Sequence, residues 1–307
     1  MKIFLTNLNE SWVVDRFRAD WYKQNEDITT NVIKEADIIW IISPWLWKKV
    51  PKKYLKSKRV VCSIYHIDFE KFTQKEINDF KKRDLYVEFY HVISLKTKEQ
   101  LQTLTDKKII SIPFWVDQNI WKKLTATKNI RKKYNLSEDD FLIGSFQRDT
   151  EGSDLSSPKL IKGPDIFLKI VRELNTSKKN LIVILTGKRR QYLINNFEKF
   201  GINYRYFEMV NIHEVNELYN ILDLYLVTSR VEGGPQAILE CAITKTPIMS
   251  TDVGVASEIL HPQSIFNLKT FEKASPKVDY AYENVQKYTI PGGMKAFREE
   301  LFDCYES

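Results

Sequence analysis

The chain has 307 residues, 43% of them hydrophobic and 28% charged, which is an ordinary globular balance and enough length for two domains with their own cores. Its net charge of +7 lies wholly in the first part: residues 1–125 hold 23 Lys and Arg against 16 Asp and Glu, while 126–307 hold 24 of each. No apolar run reaches the roughly 18 to 20 residues of a membrane span, and the longest, DIIWIISPWLW, is interrupted by Ser43 and Pro44.

The opening MKIFLTNLNES lacks the apolar stretch of a secretory signal, so a cytoplasmic location is expected. KIFLT reads as the first strand, followed by a helix over Trp12–Gln24. DIIWIIS, RVVCSIY, HVISL and IISIPF continue the strand series, with helices over Thr73–Arg83 and Thr97–Leu104. Within it, WLWKKVPKKYLKSKR (45–59) has seven basic residues and no acid, and reads as helical up to Pro51 and again after it. This segment is either a solvated lysine-rich face or a surface for an anionic partner: membrane lipid, nucleic acid or a charged acceptor. The polar, basic stretch KKLTATKNIRKKYNLSEDD then separates the two halves. FLIGSFQ, LIVILTG, YRYFEM, LDLYLVTS and TPIMST form a second series of strands. Its helices are GPDIFLKIVREL, RRQYLINNFEKF, IHEVNELYNIL and PQAILECAI. Such alternation predicts an α/β architecture of two doubly wound domains with parallel sheets, joined near residues 120–140. Ligands in these sheets gather at the carboxyl ends of the strands and in the cleft between domains. The three cysteines, Cys62, Cys241 and Cys304, lack Cys-x-x-Cys spacing and are expected to be free thiols. The four histidines show no short ligand spacing, and no metal is expected.

The chemistry concentrates in SRVEGGPQAILECAITKTP (229–247). LDLYLVTS is a buried strand, RVEGG the loop at its carboxyl end, and Pro235 suits the first turn of the next helix. Gly233 and Gly234 let backbone N–H groups approach a ligand, and the helix N-terminus favours negative charge. Glu232 can accept hydrogen bonds from hydroxyls in the loop, and Glu240 lies about one and a half turns into the helix. Two carboxylates around an anion-friendly turn suit a ligand with hydroxyls at both ends and phosphate between, as in a nucleotide sugar.

This string, continued to SEIL, resembles the signature of the retaining glycosyltransferases of family 4, which have the GT-B fold. The shared pattern is Glu-x7-Glu, a small-residue helix, Thr246-Pro247-Ile248, and Gly254 to Glu258. The resemblance implies that Glu232 binds donor-sugar hydroxyls, with Gly233, Gly234 and Pro235 nearby, and that Glu240 binds ribose hydroxyls. IGSFQRDTEGSDLSSPKLIKGPDIFLKIV resembles the family's strand, Arg, and Lys-Gly-x-Asp helix start. It implies that Arg148 and Lys162 neutralise the departing diphosphate, a place where charge develops in the transition state. The segment DTEGSDLSSPKLI separates the two more widely than is usual in the family, and Lys159 is a candidate to share the role. LIVILTG through Lys188, including Gly187, resembles the turn bordering the nucleoside. Phe207 to Val210, including Met209, resembles the segment that meets the base. In the first half, VVCSIYHID resembles a strand ending in a donor-facing histidine, here His66. The family's glycine-rich loop after the first strand is replaced by TNLNESWVVDRF, where Asn7, Asn9 and Ser11 are the polar residues available.

The resemblance implies a GT-B fold of two doubly wound Rossmann-like domains facing across a cleft. Residues 1–125 would form the acceptor-side domain, with a C-terminal helix 293–307 packing back onto it, and 126–292 the nucleotide-sugar donor domain. The implied function is transfer of a hexose from a nucleoside-diphosphate sugar to a glycan, lipid-linked or other acceptor, with retention and without a metal or cofactor. The basic first half leaves a DNA-modifying glucosyltransferase and peripheral contact with an anionic membrane as alternatives. The glycine-free first loop leaves an inactive nucleotide-sugar-binding module as another.

Overall fold

The computed structural model describes residues 1–7 and 13–306. Asn9, Ser11 and the predicted helix start at Trp12 lie outside the described residues. The chain divides into two compact units, Met1–Trp115 with Lys287–Ser307, and Val116–Gln286.

In the first unit, β1 (Ile3–Leu5), β2 (Ile38–Ile41), β3 (Arg59–Ile64), β4 (Phe89–Val92) and β5 (Ile109–Ser111) form a parallel sheet in that order. Helices α1 (Val13–Gln24), α2 (Lys52–Ser57), α3 (Gln74–Asp84) and α4 (Leu95–Gln102) connect them. Every residue of β2 and β4 is buried, as in a sheet covered on both faces. Each crossover advances to the adjacent strand, so among the described residues this sheet has no reversal of direction. Winding in the described part of the first unit thus runs in a single direction. Two local expectations also shift. The predicted strand HVISL stops at Val92, because the Ser94 side chain accepts from the Thr97 N–H and starts α4. The basic segment forms a 3-10 turn over Pro44–Lys49, and α2 resumes after Pro51.

The second unit begins with α5 (Thr127–Lys133), a helix inside the stretch expected to be a polar spacer. β6 (Phe141–Ser145) is followed by a small antiparallel hairpin of β7 (Thr150–Glu151) and β8 (Ser157–Pro158). The chain continues through α6 (Pro164–Ser177), β9 (Leu181–Thr186), α7 (Gln191–Phe200), β10 (Tyr204–Phe207) and α8 (Ile212–Ile221). It then passes through β11 (Leu224–Val227), α9 (Gln236–Thr244), β12 (Ile248–Thr251), α10 (Ala256–Ile259), β13 (Ile265–Phe266) and α11 (Val278–Val285). The main sheet is parallel, with order β10-β9-β6-β11-β12-β13. The chain winds outward from β6 to β10 and then restarts on the other side at β11, so this unit is doubly wound. Its direction changes between β6 and β11, the kind of switch point at which ligands bind in such sheets. Phe167 and Val171 of α6 pack on Ile143, Leu226 and Val183 in the core beneath.

The last helix, α12 (Gly292–Glu306), belongs to the first unit. Its Phe297 ring stacks on Trp40 at 5.3 Å and on Phe114 at 5.9 Å, inside that unit's core. All three cysteines are free and buried.

Candidate functional site

Apart from His66, the donor-side candidates lie in the second unit, most of them in loops at the carboxyl ends of four adjacent strands. Phe207 to Val210 end β10, Gly187 and Lys188 follow β9, Arg148 follows β6, and Glu232 with Gly233 and Gly234 follows β11. The placement follows from parallel topology, which puts every such loop on one edge of the sheet.

The loop after β6 is anchored by a buried ion pair. Arg190 donates from Nε to Asp149 at 2.5 Å and from Nη1 to the carbonyls of Ser145 and Thr186 at 2.6 and 2.7 Å. The two side chains are 0% and 3% exposed. Arg148, next in sequence, is exposed and donates from Nε to the Thr150 carbonyl at 2.9 Å. The Asp149 carbonyl accepts from the Lys159 N–H at 2.7 Å, which ties the far end of the hairpin to the same point. Burial, and then the charges of Arg148 and Lys162, hold the Lys159 ammonium below the ordinary lysine range. The inserted segment therefore returns a third cation to the pair that sequence separated.

Lys162 ends a 3-10 turn over Leu160–Lys162 that leads through Gly163 into α6. Gly163 has a φ of +63°, and a Cβ there would lie 1.8 Å from the Thr228 carbonyl oxygen. Only glycine accepts both constraints, so the backbone of this turn comes directly against the end of β11. Thr228 Oγ1 donates to the Gly163 carbonyl at 2.9 Å, and Gln147 Nε2 to the Lys162 carbonyl at 2.9 Å. Arg230 reaches back to Asp165 of α6 with both terminal nitrogens, at 2.8 and 2.6 Å. These bonds bring the Lys162 ammonium into an ion pair with Glu232, whose Oε1 also accepts from Ser229 Oγ at 3.2 Å. The paired side chains are 24% and 13% exposed.

The Gly-Gly turn is seated by a second close approach. Gly254, at a φ of +49°, has no room for a Cβ because the Gly233 carbonyl oxygen would lie 2.0 Å away. Pro235 is the N-cap of α9, one position earlier than a first-turn residue, and makes no side-chain cap bond. Glu240 is 6% exposed and accepts from the Tyr219 hydroxyl at 3.0 Å. Tyr219 is enclosed by Phe146, Trp121 and Tyr225, with ring centroids 4.9 to 5.6 Å away. Burial, reinforced by the Glu240 charge, pushes its hydroxyl pKa well up, so it stays a donor. Beyond β9, Gly187 has a φ of +82°, its N–H donates to the Glu208 carbonyl, and its carbonyl accepts from Tyr206 Oη at 2.9 Å. Lys188 is exposed, Met209 is 71% exposed, and Phe207 packs edge-on to Tyr134.

His66 belongs to the first unit, exposed just beyond β3, and Asn7 is likewise exposed there. Sequence reasoning did not find Asp149, Arg190 or Tyr219. No local pattern distinguishes an Arg in KRR or a Tyr in a helical stripe until the fold sets its partner. A cavity of about 1140 Å³ in the second unit opens beside Phe141 and Leu224, at the amino ends of β6 and β11, and no candidate lines it.

Comparison with known proteins gives this site a family. Two Escherichia coli proteins, the O-antigen biosynthesis glycosyltransferase WbnH and the probable O-antigen biosynthesis glycosyltransferase WbiN, are each 26% identical over 152 residues. The match covers 46% of this chain and 45% of each relative, so the chain spans less than half the length of the curated relatives it matches. Alr3699/HepE of Anabaena, solved in complex with UDP, superposes with a TM-score of 0.76 at 14% identity, over 99% of this chain and 100% of that one. Sucrose-phosphate synthase from Thermosynechococcus elongatus superposes with a TM-score of 0.69 at 12% identity, over 95% of this chain and 77% of that one. These likenesses establish the GT-B fold of two Rossmann-like domains. The sequence profile of glycosyl transferases group 1 matches residues 127–288, more than half of the chain and nearly the whole second unit. The chain belongs to the glycosyl transferases group 1 family.

Proposed function

We propose that the chain transfers a hexose from a nucleoside-diphosphate sugar to a glycan or lipid-linked acceptor, with retention of configuration and without a metal ion, as a member of family 4. The observation that carries this reading is that the backbone after β6 ties Asp149, next to Arg148, to Lys159 and Lys159 to Lys162, beside the switch point of the second sheet, with the Lys162 ammonium paired to Glu232. Three cations there suit a diphosphate, and the carboxylate beside them suits sugar hydroxyls. The Anabaena protein has been solved with UDP and with UDP-glucose, which supports a donor of that class. The names of the two Escherichia coli relatives support a glycan acceptor.

In this mechanism Arg148 and Lys162 meet the diphosphate as its charge grows, an interaction stronger in the transition state than in the ground state. Glu232 and the backbone of Gly233 and Gly234 hold the hexose, and Glu240, fixed by Tyr219, holds the ribose. Gly187, Lys188, Phe207, Met209 and Val210 border the nucleoside. The acceptor oxygen bonds to the anomeric carbon on the face from which the diphosphate leaves. The anomeric carbon–phosphate oxygen bond breaks, and the leaving oxygen takes the acceptor proton. The test is transfer from a set of nucleoside-diphosphate hexoses with EDTA present, with the product anomer read by proton NMR. An inverted product, or complete loss in EDTA restored by manganese, contradicts the reading.

A further inference from the structure

A groove of about 1140 Å³ opens in the first unit between the Pro44–Lys49 turn, α3 and the loop 66–72. Its floor is apolar, with Ile64, Phe80 and Leu101 buried along it. Lys52, Lys71, Lys75 and Lys82, all exposed, stand on its rim, and Trp45 is 46% exposed at its lip. Three of those lysines come from outside the basic segment 45–59, so the fold concentrates charge beyond what the sequence run shows.

Arg83 lines this groove at 7% exposure. Its guanidinium lies over the Phe80 ring at 5.1 Å, and its Nε has no hydrogen-bond partner among the described residues. The neighbouring carboxylate, Asp79, already takes Lys48 on one oxygen at 2.5 Å and the Trp47 indole N–H on the other at 3.2 Å. Glu76, also on the lining, is bonded to Thr73 Oγ1, and Asp68 is the remaining acid there. A buried N–H donor without an acceptor is costly, and an oxyanion bonded to the same guanidinium from the groove offsets part of that cost.

We infer that this groove is a binding site for an anionic amphiphile, one molecule per groove. Its phosphate or diphosphate bonds Arg83 under the lysine rim, and its hydrocarbon chain lies on the apolar floor beside Trp45 and Trp47. Neither inorganic phosphate nor a neutral detergent satisfies both parts. That such a molecule is also the acceptor rests on the glycosyl-transfer reading; the binding itself does not, and is measured without donor.

The experiment is isothermal titration of the whole chain with dodecyl phosphate below its micelle concentration, beside dodecyl maltoside and inorganic phosphate. One-to-one binding of dodecyl phosphate is expected, at least about tenfold tighter than either control. Arg83→Gln should weaken it by about tenfold or more, as expected for loss of a hydrogen bond to a charged group. Circular dichroism reports whether that variant folds. If it does not, Lys75→Gln with Lys82→Gln, both exposed, should lower affinity and flatten its salt dependence. Equal binding of the neutral detergent, equal binding of inorganic phosphate, many molecules per chain, or unchanged affinity in the folded variants overturns the inference.

Discussion

Lys162 and Glu232, separated by 70 residues in sequence, form an ion pair at the carboxyl edge of the second unit's sheet. A lysine already aligned by a carboxylate can turn to phosphate without searching for its rotamer, and that carboxylate is then available to sugar hydroxyls. Lys162→Ala and Arg148→Ala should therefore lower kcat by about 10²–10³, the range seen on removing one group that stabilises transition-state charge. Donor affinity should change far less. Glu232→Ala should also act mainly on turnover. Steady-state kinetics against donor concentration checks this, and a change confined to KM in all three variants contradicts it.

Glu240 is held by the Tyr219 hydroxyl at 3.0 Å. Glu240→Ala should weaken donor binding by about 1.5–3 kcal/mol, since hydrogen bonds to a charged group are lost. Tyr219→Phe keeps the ring among its aromatic neighbours and removes one bond, so it should cost about 0.5–1.5 kcal/mol. Titration calorimetry with donor separates the two, and equal affinity of both variants and wild type removes Glu240 from the site.

Gly163 and Gly201 share a φ of +63°, but a Cβ at Gly163 meets the Thr228 carbonyl whereas one at Gly201 has nothing within 4 Å. Gly201→Ala should cost about 1–2 kcal/mol, the penalty of the left-handed conformation alone. Gly163→Ala should cost more and should also lower activity, because Lys162 precedes it. Urea denaturation of the two variants checks the order, and equal losses contradict it.

His91 is fully buried, with Ser63 Oγ on Nδ1 at 2.8 Å and the Ile112 carbonyl on Nε2 at 2.7 Å. Burial lowers its pKa from 6.5 to about 4, despite the Ile112 bond. The unfolded chain therefore takes up this proton first on acidification. The stability is fully present above pH 6.5 and is lost as pH falls toward 4. Between pH 7 and pH 5 the loss from this residue should be about 2 kcal/mol. His91→Gln should remove that part of the slope in urea denaturation at the two pH values. An unchanged slope contradicts the assignment.

Much of the second unit was legible because its cues are local. Its longer strands are short apolar runs, Gly163 precedes a Pro-Asp helix start, and Glu232 stands in the loop after a buried strand. Parallel winding then carries these loops to one edge. Other features depend on long-range pairing. The partnership of Asp149 with Arg190, 41 residues away, is invisible until β6 and β9 are neighbours. The segment 150–158 reads as polar loop because its strands are two residues each. β13 escapes notice for the same reason. In the first unit, strand periodicity says nothing about the order in which strands lie, so the single direction of winding emerges only in the structure.

Retaining, metal-free cleavage of a sugar nucleotide is best measured by proton NMR in EDTA, across a set of nucleoside-diphosphate hexoses without acceptor. One donor should be slowly hydrolysed, the first sugar released should keep the donor's anomeric configuration, and Lys162→Ala should nearly abolish the reaction. Hydrolysis of no donor, or release of the opposite anomer, would contradict it.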